Sequence, residues 1–169
     1  MIIFTYTPLL NKQPLLCLVA PGLGFGTLMV TGTYFALTGE WSWACFLVSF
    51  IPFFLVSNLL LLNQFPDVEA DSTVGRQNFP ILIGNKRSAV IFTVFILSTY
   101  LTIILGVAIK LIPAWSLLGL GSLVFSIPAA RGALKNAEQL PKLMPSLGQN
   151  VLLNLLTPIL TGVGFLIAA

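Results

Sequence analysis

Five apolar runs dominate the sequence, at roughly 15–37, 42–64, 89–111, 113–130 and 149–168. Each is near the ~20 residues that a helix needs to cross the hydrocarbon core of a bilayer. Only 8% of the 169 residues are charged and 57% are hydrophobic. A soluble domain carries about 25% charged residues, so this chain cannot clothe a water-facing surface. The expected fold is an all-α, polytopic transmembrane helix bundle of about five complete spans. Met1–Leu10 is apolar but too short to cross. With no basic leader region and no cleavage site, it reads as the tail of a partial first helix.

The loops alternate in character. Gly39–Trp43 and Lys110–Pro113 are short, whereas Asn11–Pro14, Gln64–Ser88 and Arg131–Gln149 are longer and polar. If the longer loops share a side, that side holds Lys12, Arg76, Lys86, Arg87, Arg131, Lys135 and Lys142, with Lys110 alone opposite. Seven against one places the longer loops in the cytoplasm and the C-terminus outside. Arg131–Gln149 reads either as a short interfacial helix broken by Pro141 and Pro145 or as a solvated loop. Cys17 and Cys45 fall near opposite faces, so no disulfide is expected. No basic patch with interleaved aromatics exists, which argues against a nucleic-acid partner. Histidine is absent. Any chemistry must therefore run on carboxylates, Lys, Arg, Tyr or Asn.

Three of the five acidic residues, Asp67, Glu69 and Asp71, sit together in the loop at 64–88. On an ideal helix Asn63, Asp67 and Asp71 are spaced i, i+4, i+8 and fall within an arc of about 80°. Glu69 points off that stripe. Pro66 can break the helix and restart it as a first residue, which detaches Asn63 but leaves the two aspartates one turn apart. Two such carboxylates repel unless a cation joins them. Mg²⁺ takes a few carboxylate oxygens, several waters and commonly a phosphate. Arg76, Lys86 and Arg87 lie close by in sequence, and Arg and Lys both bind phosphate oxygens. Aspartates and cations at a membrane mouth suit a diphosphate whose tail lies in the bilayer. The plainer reading is a merely solvated acidic loop.

The stretch NQFPDVEADSTVGRQNFPILIG (63–84) resembles the second aspartate-rich motif of the UbiA-type intramembrane aromatic prenyltransferases, closest to the dihydroxynaphthoate branch of menaquinone synthesis. Tyr6-Thr7-Pro8, Lys12 and GTLMVTGTYFALTGEWSW (26–43) are similar to that family too. The resemblance implies a bundle of nine helices in the membrane, here the bacterial inner membrane, with the aspartate-rich motif on the cytoplasmic side. It implies Mg²⁺ as cofactor, and a polyprenyl diphosphate and an aromatic acceptor as substrates. Carried over, Asp67 and Asp71 are catalytic Mg²⁺ ligands supported by Asn63. Arg76, Lys12, Lys86 and Tyr6 are substrate-binding candidates. Ser72 stands where relatives often carry Arg. The first aspartate-rich motif of the family has no counterpart upstream of Tyr6. The expectation is thus one membrane domain over 1–169 forming the C-terminal part of a larger fold, with an N-terminal half as a further partner.

The alternative is a non-catalytic membrane half or pseudoenzyme that binds an isoprenoid or a partner bundle. A lipid-headgroup phosphotransferase is weaker, because its DG-x₂-AR motif is missing. Gly22-x-x-x-Gly26 reads as a helix-packing seam. Asn58, inside a span, either bonds a neighbouring helix or lines the cavity. Tyr34, Tyr100, Phe53 and Phe54 could face an allylic cation, but packing is the simpler role for each.

Overall fold

The computed structural model describes residues 13–168. Tyr6 and Lys12 lie outside them. Five long helices cross the molecule: α1 (Pro14–Thr38), α2 (Trp43–Asn63), α5 (Asn85–Ala108), α6 (Ala114–Asn136) and α7 (Leu140–Ala168). Two short helices, α3 (Val68–Thr73) and α4 (Phe79–Ile83), fill the connection between α2 and α5. No strand occurs among the described residues. All five long helices are apolar enough to span a membrane.

The spans turn large apolar side chains outward, as lipid-facing helices must. On α5 the outward stripe is Val90, Val94, Leu97, Leu101 and Leu105. The inward stripe mixes Phe92, Ile96 and Ile103 with Ser88, Ala89, Thr99 and Gly106. Small and polar residues therefore sit inside, where backbones approach closely, and large aliphatics sit outside against lipid. Gly22 and Gly26 put this into practice. A Cβ on Gly22 would strike the Phe53 carbonyl and the Ser57 hydroxyl, and one on Gly26 would strike the backbone of Phe53. Helix α1 thus lies directly on α2. At the far side Gly119 abuts Thr161 and Gly164 abuts the Trp115 backbone, closing α6 on α7.

Buried hydrogen bonds tie the helices together. Asn58 is fully buried, its Nδ2 donating to the Phe92 carbonyl at 2.9 Å. Asn150 Nδ2 donates to the Asn58 carbonyl at 3.2 Å. These contacts join α2, α5 and α7, so Asn58 takes the helix-bridging role of the two the sequence allowed. Ser122 Oγ donates to the Gly119 carbonyl at 2.7 Å. It lies 2.8 Å from Thr157 Oγ1 and 2.9 Å from the Tyr100 hydroxyl, linking α5, α6 and α7. Its proton being committed, both neighbours donate to it. Tyr100 is consumed in this network. Phe53 packs at the glycine seam, and Phe54 stacks edge-on to Phe95 at 5.4 Å.

One expectation is corrected. Arg131–Gln149 is neither a separate short helix broken by its prolines nor a loop. It comprises the end of α6, a turn and the start of α7. Pro141 falls in the first turn of α7, where its missing N–H needs no partner. Pro145 forfeits only the bond to the Pro141 carbonyl. The helix therefore runs through both prolines.

The glycine seam makes a contrast testable. Gly26→Leu must push α1 off α2 and should cost about 1–3 kcal/mol. Gly24→Leu, whose Cβ meets nothing within 4 Å, should cost little. Thermal denaturation of the two variants in the same detergent reads the difference.

Candidate functional site

The end of α2 builds the site. After Asn63 the helix stops: Gln64 N–H reaches the carbonyls of Leu60 and Leu61, and Phe65 N–H that of Leu62. Pro66 enforces the break, since its ring cannot donate to the helix. Phe65 plugs into the core at 2% exposure and fixes where the chain turns. Asn85, at the start of α5, donates from Nδ2 to the carbonyls of Phe65 (3.4 Å) and Ala137 (3.1 Å). The break is thereby anchored to the α6–α7 turn. Helix α3 restarts at Val68, two residues later than a Pro66 start, with Asp67 as its N-terminal flanking residue. Asp71 N–H donates to the Asp67 carbonyl at 2.8 Å, so the two aspartates stay one turn apart.

Gly75 turns the chain back. Its φ of 74° is left-handed. Its N–H bonds the Ser72 carbonyl, and Arg76 N–H bonds the Asp71 carbonyl. This 6→1 and 5→2 pair is the Schellman closure, which glycine serves because it has no Cβ to clash. It returns Arg76 to the aspartate one turn behind it. Arg76 Nη1 donates to Asp71 Oδ1 at 3.0 Å.

Asn78 completes the cluster. Its Oδ1 accepts from Ile81 N–H at 3.0 Å and caps α4, while its Nδ2 donates to Asp71 Oδ2 at 3.2 Å. Asn78 is buried at 3% exposure. Sequence reasoning missed it. The signal was present in Asn78-Phe79-Pro80, a capping residue followed by proline in the first turn.

A cavity of about 230 Å³ opens among these groups, lined by Cys17, Leu60, Asn63, Gln64, Asp67, Asp71, Arg76 and Asn78. Four residues singled out in the sequence, Asn63, Asp67, Asp71 and Arg76, meet here despite the helix break. Glu69 stays outside, as its helical phase requires. Ser72 bends back to the Glu69 carbonyl and is absent from the lining. Lys86 also lies elsewhere, 2.9 Å from Glu138 in an exposed pair. Cys17, 3.7 Å from Gln64 Nε2, was not foreseen at the wall. Cys45 sits by the Val30 carbonyl at the opposite end of the spans.

The donor set fits a hard divalent cation. Two carboxylates and the carboxamides of Asn63 and Gln64 offer oxygen ligands, the kind Mg²⁺ takes, and Asp67 makes no side-chain cap bond. No group of three or more His, Cys, Asp or Glu converges among the described residues.

A profile of the UbiA prenyltransferase family matches residues 1–167. The chain belongs to this family. It is also 26% identical, over 122 residues, to a protein of Synechocystis sp. named 2-carboxy-1,4-naphthoquinone phytyltransferase. That alignment covers 72% of the UbiA-family chain but only 38% of the relative. No solved structure matches the chain.

The two roles of Asn78 can be separated. Asn78→Ala loses the cap, worth about 1 kcal/mol, and hydrogen exchange at the Ile81 amide should quicken about fivefold. Asn78→Asp keeps a capping oxygen and should hold that exchange rate near the original. It nevertheless sets a second carboxylate against Asp71.

Proposed function

We propose that the chain carries the diphosphate-binding part of a membrane prenyltransferase, which moves a prenyl group from a polyprenyl diphosphate to an aromatic acceptor with Mg²⁺ as cofactor. The observation that carries this reading is the convergence of Asn63, Asp67, Asp71 and Arg76 on one cavity at the end of a membrane span. Family membership and the likeness to a naphthoquinone phytyltransferase support it. So does the charge distribution, whose excess of Lys and Arg on the longer loops fits a cytoplasmic placement of this end of the bundle.

Asp67 and Asp71, with the carboxamide of Asn63, would hold Mg²⁺. When bound, the ion supplies Lewis acidity that neutralises the charge growing on the departing diphosphate. The chain's own groups do the rest. Arg76 offers a planar fork of donors to phosphate oxygens and adds a positive charge beside the leaving group. Asn78 and the Gly75 turn hold Asp71 and Arg76 in register. Loss of diphosphate from an allylic chain leaves a cation that water would quench. Cys17 of α1 and Leu60 of α2 give the cavity an apolar side on which the first part of the tail would lie away from water. The acceptor's nucleophilic carbon then takes the prenyl cation and gives up a proton.

Asp67→Asn or Asp71→Asn should each weaken Mg²⁺-dependent binding of a prenyl diphosphate about 10- to 100-fold. Glu69→Gln, off the cavity, should change it less than about twofold. Titration of a fluorescent prenyl diphosphate into the chain in nanodiscs checks this. Unchanged binding in both aspartate variants would remove the metal assignment.

A further inference from the structure

Both oxygens of Asp71 are occupied by this chain's own groups, and the two partners differ in kind. Asn78 is buried, and its carboxamide is fixed at the other end by the Ile81 amide. Its bond to Oδ2 is therefore rigid. Arg76 is about half exposed, with 48% of its side chain accessible against 13% for Asp71. Its guanidinium is held by Asp71 alone among the described residues. Asp67, on the same wall, makes no side-chain hydrogen bond among them. The cavity thus presents one open carboxylate and one that is capped by a movable cation.

A bare divalent ion approaching Asp71 Oδ1 must either displace a charge-assisted hydrogen bond or share one oxygen with a second cation. A diphosphate changes the balance. It brings oxygens that match the guanidinium fork, so Arg76 can leave Asp71 without losing a charged partner.

We infer that Arg76 makes Asp71 a conditional metal ligand. The ion pair suppresses capture of a free divalent cation and is exchanged for an Arg76–diphosphate contact when metal and diphosphate arrive together. This rests on the diphosphate reading of the cavity. Asn78 is the positioning residue: by keeping Oδ2 it holds the carboxylate still while Oδ1 changes partner. Metal and diphosphate then bind with positive coupling, and Arg76 carries that coupling.

The test uses the full chain in nanodiscs, with Mn²⁺ and inorganic pyrophosphate as probes. Free Mn²⁺ is followed by its electron paramagnetic resonance signal in the absence of pyrophosphate. Retention of radiolabelled pyrophosphate is measured separately at saturating Mn²⁺. Arg76→Gln should bind Mn²⁺ alone about tenfold more tightly than the original chain, and retain pyrophosphate about tenfold less well. Arg76→Ala should shift both affinities in the same directions. Arg76→Lys keeps the charge and should leave Mn²⁺ binding weak. Suppose the original chain retains pyrophosphate with Mn²⁺ but neither neutral variant binds Mn²⁺ more tightly. The exchange is then wrong while the diphosphate site stands. If the original chain retains no pyrophosphate at all, both readings fall.

Discussion

Hydrocarbon offers a backbone amide nothing to bond to, and the layout of this chain follows from that one constraint. Every span is a helix, because only a helix satisfies its own backbone inside a bilayer. Among the described residues, backbone that leaves the helical path lies between the spans. There the chain supplies substitutes: Asn85 for the Phe65 and Ala137 carbonyls, Gly75 for the end of α3, Asn78 for the start of α4. The site is assembled from those substitutes. Asn78 and the Gly75 turn satisfy a helix terminus and grip Asp71 in the same act.

The same constraint governs specificity of packing. Lipid tails are as apolar as leucine, so apolar side chains alone do not choose a partner helix. Choice comes from close approach and from buried polar bonds. Gly22 and Gly26 admit the Phe53 backbone, and Asn58, Asn150, Ser122 and Thr157 supply directional contacts deep in the bundle. The helix that carries Asn63 is therefore fixed against three neighbours, and the break after it opens at a defined place.

Much of this was legible in the residues. Span number and type follow from apolar run length, which physics ties directly to bilayer thickness. The co-location of Asn63, Asp67, Asp71 and Arg76 was foreseeable from helical spacing and from the family motif. The sequence was silent where geometry depends on distant partners. Helix α7 runs through Pro145 because that proline sits one turn inside the start, a fact invisible until the start at Leu140 is known. Lys86 looked like a phosphate ligand by proximity in sequence, yet it is not among the cavity's lining residues and lies beside Glu138, 52 positions away. Cys17 entered the cavity through a tertiary contact with Gln64 that no local periodicity announces.

The central claim is that the cavity at the end of α2 holds a divalent cation together with a diphosphate. A crystal grown in lipidic mesophase with Mn²⁺ and a non-hydrolysable prenyl thiodiphosphate tests it most directly. The account predicts an anomalous peak within coordination distance of Asp67 and Asp71, with the Arg76 guanidinium turned onto the diphosphate oxygens. Manganese bound elsewhere, with Arg76 still on Asp71 and the cavity empty of diphosphate, would contradict it.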